Sequence, residues 1–179
     1  MVSCIDILGD ASMRNGLNFL WYQLFWWVII GSVSWGYLWH GMMLGLVLIG
    51  VHLFFSSQRR VDLWWMVVSF IVGCCLESLL LWWGCYRFSD RIVVHGFLPA
   101  WLCLLWLGFG CTFSYSMAWI KQPLLAVLGF SVGGLLVYLG VDRLGIIQFN
   151  MSGVSIGVFM GLGGLVGLGL GIRLKKQLV

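Results

Sequence analysis

Long apolar runs follow one another along almost the whole chain, and each is long enough to cross a lipid bilayer. A helix needs about 20 apolar residues to span a hydrocarbon core of about 30 Å. Hydrophobic residues make up 61% of the chain and charged residues only 9%, too little charge to cover a water-soluble fold without large apolar patches. The sequence therefore predicts that lipid surrounds most of the protein.

Six membrane spans are predicted by this length criterion, which makes the chain an all-α, polytopic membrane helix bundle. The predicted spans are residues 17–34, 38–55, 63–84, 96–120, 124–141 and 153–172. Residues 1–16 form an N-terminal segment and residues 173–179 a basic tail. The short connections leave no room for a soluble domain, so residues 1–179 are expected to form one transmembrane domain.

The orientation is predicted from the positive charges, because flanking Lys and Arg resist translocation. One side holds seven of the ten basic residues: Arg14, Arg59, Arg60, Lys121, Arg173, Lys175 and Lys176. The other side holds Arg87, Arg91 and Arg143. Both termini are therefore predicted in the cytoplasm. These charges form no basic face, so the net charge of +4 does not predict nucleic-acid binding.

Tryptophans provide a second measure of the membrane thickness. Trp64-Trp65 and Trp82-Trp83 are 18 positions apart in the third span, about 27 Å at about 1.5 Å per residue. Trp101 and Trp119 repeat this spacing in the fourth span. The spacing predicts that all six residues are interfacial anchors in contact with membrane lipids.

The last span contains glycines that recur every three or four residues. They are Gly153, Gly157, Gly161, Gly164, Gly167 and Gly171. On a helix they share a face about 120° wide, where another backbone can approach closely. This face is predicted to pack helices together, and to bind a membrane-protein partner or a second copy of the chain; the alternative is a flexible C-terminal helix.

Glu77 is the acidic residue that lies well inside a predicted span, in the outer half of the bilayer. Its helical face carries small residues, so its side chain is expected to face the bundle interior. There it is either a proton or cation site, a contact for a lipid headgroup, or a structural acid that fixes helix register. Tyr138, Ser32 and Ser34 are expected as hydrogen-bond partners.

A second set of polar residues is predicted toward the cytoplasmic half. It comprises Gln23, His52, Thr112 and Ser116. His52 has no second ligand three or four positions away, and no nucleophile or phosphate-binding motif is present. The six cysteines lack a CxxC spacing, so neither a disulfide framework nor a zinc site is predicted. No catalytic residue, metal or cofactor is expected.

Several short motifs in these spans have the order found in one known family. They are Asn18-Phe19-Leu20-x-x-Gln23-Leu24, Glu77-Ser78-Leu79, Leu98-Pro99-Ala100-Trp101, Leu105-Trp106-x-x-Phe109 and Gly129-x-x-x-Gly133-Gly134-x-x-x-Tyr138-x-Gly140. From the first helix to Gly145 the chain resembles DUF2878, a bacterial inner-membrane family of unknown function. The resemblance implies a location in the bacterial inner membrane.

The chain departs from the family pattern at three places. The family usually has aspartate where Glu77 stands, Asn-His where Ser114-Tyr115 stand, and proline where Leu135 stands. The missing histidine argues against a shared histidine-based catalytic site here. Members are often encoded near enzymes that modify membrane fatty acids, so the resemblance implies a lipid context but no activity.

Three functions remain open at this point. The first is a non-catalytic scaffold or accessory protein, since no convergent set of reactive groups is found. The second is transport of a lipid, a solute or a proton with Glu77 as the titrating group. The third is an intramembrane enzyme acting on acyl chains, which would need clustered metal ligands.

Overall fold

A computed structural model of the chain describes residues 4–90, 98–117 and 122–176, and the side chains within 12–90, 98–117 and 122–172. Its elements are α1 (Cys4–Ser34), α2 (Leu38–Phe55), α3 (Arg59–Trp82), β1 (Tyr86–Phe88), α4 (Ala100–Gly110), α5 (Pro123–Arg143), β2 (Ile147–Phe149) and α6 (Gly153–Lys176). Helix accounts for 78% of the chain, so the predicted helix bundle is confirmed.

Five of these helices are long and apolar enough to cross a membrane: α1 (over Ser12–Ser34), α2, α3, α5 and α6. These helices cover five of the six predicted spans. Many of their large apolar side chains are exposed, as expected for residues that face lipid. The protein is therefore a membrane protein. α1 also extends into the predicted N-terminal segment, since its helix begins at Cys4.

The fourth predicted span, residues 96–120, is corrected by the structure. Helix α4 ends at Gly110, and consecutive turns lead to Met117; Trp119 lies outside the described residues. Two glycines near the end of α4 lower its helix propensity. The Thr112 hydroxyl also donates to the Phe109 carbonyl at 2.7 Å, a local bond that competes with helix continuation. Turns therefore replace the helix after Gly110 in the described part of this span.

Glycines allow the helices to approach one another closely. A Cβ on Gly110 of α4 would lie 2.5 Å from Met66 Cα of α3, and one on Gly41 of α2 would lie 2.4 Å from Ser32 Cβ of α1. Between α3 and α4 the Ser69 hydroxyl also donates to the Trp106 carbonyl at 2.7 Å. Close packing and hydrogen bonds of this kind stabilise helix association where lipid removes the hydrophobic driving force.

A short pair of strands closes one end of the bundle. β1 and β2 are antiparallel, with Arg87 opposite Gln148 at the centre of the register. β1 follows α3 and precedes α4, whereas β2 follows α5 and precedes α6. The strand pair therefore joins two helix–strand–helix units.

The first parts of these two units, α3–β1 and α5–β2, repeat one arrangement. Arg87 and Gln148, and likewise Glu77 and Tyr138, are 61 positions apart. At the same separation, Gly84 and Gly145 end α3 and α5 with positive φ angles of 67° and 72°. The backbone hydrogen bonds between the units are also reciprocal. Ser89 N–H donates to Ile146 O, and Asn150 N–H donates to Cys85 O. An approximate twofold axis therefore passes through the Arg87–Gln148 pair.

The predicted tryptophan anchors divide into two groups. Trp64, Trp82 and Trp83 are exposed on the surface, where lipid contact is expected. Trp65 and Trp101, by contrast, are only 1% and 3% exposed, because Trp65 packs against Phe113 and Trp101 against Phe88. The prediction that these two face lipid is wrong: spacing measures depth along a helix but not the direction of a side chain.

The glycines of α6 divide as well. Gly164 and Gly167 pack on α5; a Cβ on Gly167 would lie 2.5 Å from the Ala126 carbonyl oxygen, and Gly171 is buried. In contrast, Gly153, Gly157 and Gly161 have no neighbour within 4 Å of such a Cβ. Phe159 of α6 packs its ring against Tyr138 of α5, between the parts of the two helices that lie nearer the strands. Half of the predicted glycine face thus contacts no other described part of the chain.

We expect Gly84→Ala and Gly145→Ala to lower the free energy of unfolding by similar amounts, about 1–2 kcal/mol each. Their backbones are left-handed, a conformation that a Cβ disfavours by about this amount. Gly140→Ala is the matched control, because Gly140 is helical and has open space around it. SDS-induced unfolding in detergent micelles measures all three. Unchanged midpoints in the first two variants would contradict left-handed helix ends, and clearly different shifts would contradict their equivalence.

Candidate functional site

The carboxylate of Glu77 lies at the centre of a buried hydrogen-bond network in the half of the bundle near the strands. Its side chain is 1% exposed. Tyr138 of α5 and Trp106 of α4 donate to Oε1 at 2.5 and 3.0 Å, and Tyr86 of β1 donates to Oε2 at 2.6 Å. Side chains from three other elements therefore converge on one acid of α3.

Trp106 reaches this acid because Gly73 lies beneath its ring. A Cβ at position 73 would stand only 2.0 Å from the indole, so only glycine leaves room for the ring to cross α3. Gly73 precedes Glu77 by about one helical turn and shares its buried face. The close approach of α3 and α4 thus aims the indole N–H at the carboxylate.

All three donors to Glu77 are uncharged groups. Tyr86, which lies outside the membrane-spanning helices, is 3% exposed, and burial, together with the Glu77 carboxylate, raises the pKa of its phenol well above the ordinary value. Its proton therefore stays in place and is available for the bond. A carboxylate has about four acceptor positions, so the network uses most of the capacity of Glu77 without a positive charge.

Among the partners expected from the sequence, Tyr138 contacts Glu77. Ser34 instead donates to the Leu144 carbonyl, and the Ser32 side chain lies against Gly41. Trp106 and Tyr86 were not predicted. In the sequence, Trp106 is one more apolar residue of its span, and Tyr86 lies beyond the end of the predicted third span. Hydrogen bonds between different elements leave no local sequence signal for either residue.

A second buried acid, Asp62, lies at the opposite end of α3. It is fully buried, and its Oδ2 accepts a bond from Ser56 Oγ at 2.5 Å and lies 3.3 Å from His52 Nε2. The Tyr115 hydroxyl lies 3.1 Å from Ser56 Oγ, and the ring of Trp21 packs on His52. Four polar side chains from α2, α3 and the two neighbouring turns thus form a second network.

The Asp62 network is only partly satisfied. Asp62 Oδ1 and Ser114 Oγ are both buried and make no hydrogen bond of normal geometry within the described parts of the chain, although the Ser114 hydroxyl is close enough to the Asp62 carboxylate to interact with it. A shallow groove lined by residues 56–61 opens beside the network. A buried carboxylate oxygen without a good hydrogen bond is costly. Asp62 Oδ1 is in this position, whereas both oxygens of Glu77 accept hydrogen bonds.

Sequence analysis missed Asp62 because the predicted third span began one residue later, at Leu63. Asp62 and Glu77 are fifteen positions apart, so on a helix they lie about 60° apart on one face. The structure buries both on this face of α3. A helical wheel that included Asp62 could have shown that it shares a face with Glu77. It could not have shown the contact with His52, which lies on another helix.

The remaining predicted polar residues do not join into one group. Ser116 Oγ donates to Asn18 Oδ1 at 2.6 Å, and Asn18 Nδ2 donates to the Cys111 carbonyl. Thr112 makes its bond within its own turn. Gln23 is half-buried and makes no hydrogen bond to the part of the chain that the structure describes. Within that part, no group of three or more His, Cys, Asp or Glu could hold a metal ion.

A family model described as "Protein of unknown function (DUF2878)" matches residues 15–168, which include both networks, the first unit and most of the second. The chain belongs to DUF2878. The resemblance found in the motifs is therefore confirmed, and it extends beyond Gly145 into α6. No curated protein and no solved structure matches the chain.

Gly73→Ala in this DUF2878 member should displace Trp106 from Glu77 and lower the free energy of unfolding by about 1–3 kcal/mol, the usual cost of overpacking. The cause is the contact between the new methyl group and the indole. A double-mutant cycle with Trp106→Leu measures the coupling: in the Leu background Gly73→Ala should cost less than half as much.

Gly50→Ala provides the control for the extra methyl group, because Gly50 on α2 has nothing within 4 Å of a Cβ. SDS unfolding followed by circular dichroism is again suitable. Strict additivity of Gly73→Ala and Trp106→Leu would show that the two residues do not meet as described.

Proposed function

We propose that this DUF2878 protein is a non-catalytic scaffold or accessory protein of the bacterial inner membrane, with both termini in the cytoplasm. The observation that supports it most is the use of Glu77. Its carboxylate is buried and bonded by three side chains from β1, α4 and α5. Such an acid holds the helices in one arrangement, which suits a rigid platform.

The distribution of charge supports the orientation. Arg87 and Arg143 lie at the end of the bundle that carries the strands, and Arg59 and Arg60 lie at the opposite end. The basic residues of the predicted tail lie in the last turns of α6, at that opposite end. The end with more Lys and Arg is expected to face the cytoplasm.

The partner surface in this proposal is the outer half of α6. Gly153, Gly157 and Gly161 leave a strip of exposed backbone, and Val154 and Leu165 beside it are 75% and 67% exposed. A transmembrane helix of another protein, or of a second copy, can approach such a strip closely and pack against it. The lipid context implied by the family makes membrane enzymes that modify acyl chains the first class of partner to examine.

A membrane-protein partner should copurify reproducibly with the tagged chain in mild detergent, and Gly157→Leu or Gly161→Leu should reduce its recovery several-fold. A Cβ at either position has no neighbour within 4 Å, so we expect a leucine there to cover the strip and folding to be preserved. Quantitative mass spectrometry measures recovery, and two differently tagged copies test self-association through the same face.

Gly169→Leu is the matched control, since Gly169 also has open space around it but lies on another side of α6, about 80° from Gly161 on the helical wheel. It should recover the partner like the wild type. Equal recovery with all variants, or no reproducible partner at all, would contradict the proposal. A changed fatty-acid composition in a deletion strain would support the lipid context.

A second candidate function is transport of a proton or small cation. Asp62 favours it, because one oxygen of this fully buried carboxylate makes no hydrogen bond of normal geometry within the described chain, and the group lies beside His52 and an open groove. Glu77 lies on the same helix face, and its bond to Tyr138 crosses between the two repeats. Transporters commonly place their sites between repeats and use carboxylates that face the bundle interior.

This candidate predicts that Asp62→Asn or Glu77→Gln abolishes proton or sodium flux into vesicles that contain the purified protein. Both amides keep an acceptor oxygen, so folding should survive, as the SDS unfolding midpoint would show. Ser78→Ala serves as the control, because the Ser78 hydroxyl bonds only within its own helix. Flux that is unchanged in both amide variants, or absent from the wild type, would remove transport from consideration.

A further inference from the structure

Two cysteines that are far apart in the sequence meet between α3 and α4. Cys74 Sγ of α3 lies 3.8 Å from Cys103 Sγ of α4. Both side chains are partly exposed, and both thiols are free. The sequence predicts no disulfide framework, and it has no local pattern that could reveal a pair brought together by packing.

The helices approach closely enough around this pair for a covalent bond. The indole of Trp106 lies directly on Gly73, and Gly110 lies on the Met66 backbone. A disulfide needs Cα atoms about 4.4–6.8 Å apart and a sulfur–sulfur bond of about 2.05 Å. The sulfur atoms of Cys74 and Cys103, which are in contact at 3.8 Å, would have to move closer to reach this bonding distance.

We propose that Cys74 and Cys103 form a reversible disulfide whose oxidant is a lipid-soluble quinone. Each thiol loses its proton, the two sulfur atoms form one bond, and the two electrons and two protons convert the quinone to a quinol. Quinones supply the oxidising power for disulfide formation at the bacterial inner membrane. A thiol or dithiol reductant reverses the reaction by exchange.

Access from the lipid distinguishes this pair from other cysteines of the described chain. Cys75, next to Cys74, is exposed on the outer surface of α3, so an oxidant dissolved in the lipid reaches this level of the helix. Cys85 and Cys111 are buried, and the Cys85 sulfur lies against the Ser155 carbonyl. Neither is placed for the same reaction.

The bond would act on the Glu77 network. Cys74 precedes Glu77 by three residues and Cys103 precedes Trp106 by three residues, about one helical turn in each case. The disulfide therefore joins the two helices that supply the acceptor and the donor of the Trp106–Glu77 bond. Oxidation should stabilise this arrangement, with a higher SDS concentration needed for unfolding.

The test uses the full-length protein, purified under reducing conditions and reconstituted in lipid nanodiscs. The reductant is removed, decylubiquinone is added, and free thiols are then counted by maleimide–polyethylene glycol labelling after denaturation. We expect two fewer labelled thiols after treatment and their recovery with dithiothreitol. Peptide mapping without reduction should identify a Cys74–Cys103 linkage.

Cys75→Ser is the matched control, because it alters the neighbouring thiol and should still lose two labels. Cys103→Ser and Cys103→Ala should lose none, and two substitutions at this position guard against a folding defect in one. No loss in the wild type, an equal loss in the Cys103 variants, or a linkage through another cysteine would overturn the proposal. Because the protein is purified, these outcomes do not depend on its partner or its role in the cell.

Discussion

A carboxyl group inside a membrane-spanning bundle has to find its hydrogen-bond partners within the protein, because lipid offers none. At Glu77 this requirement determines much of the surrounding structure. Tyr138 holds α5, Tyr86 holds β1 and Trp106 holds α4 against the same two oxygen atoms. The burial of one acid therefore fixes the relative positions of three elements and of the strand pair that β1 forms with β2.

Glycine is the second requirement, and it makes the first one attainable. The indole N–H reaches Glu77 because Gly73 has no side chain under the ring. The same principle brings α4 onto α3 at Gly110 and α6 onto α5 at Gly167. In lipid, where apolar surfaces gain little by leaving their solvent, such close contacts and the hydrogen bonds between them hold the bundle together. Polar groups and small residues thus act jointly in this protein.

The sequence predicted those features that depend on a single helix. Apolar length predicted six spans, of which five are long apolar helices in the structure, and the small residues around Glu77 indicated correctly that it faces inward. Features that depend on two helices were missed: Trp65 and Trp101 are buried by Phe113 and Phe88, and Asp62 is paired with His52. The turns after Gly110 were missed for another reason, since hydropathy records a long apolar run whether or not its backbone stays helical.

The repeat relates the hydrogen bonds at the centre of the bundle to those between the strands. Glu77 and Tyr138 occupy equivalent positions in the two units, as Arg87 and Gln148 do. In both pairs the two units carry different groups, one that accepts and one that donates, so each pair forms a hydrogen bond across the axis. Identical acids at both positions would repel each other, and identical phenols would leave a weaker bond. The difference between the repeats therefore lets Glu77 and Tyr138 satisfy each other where the two units meet.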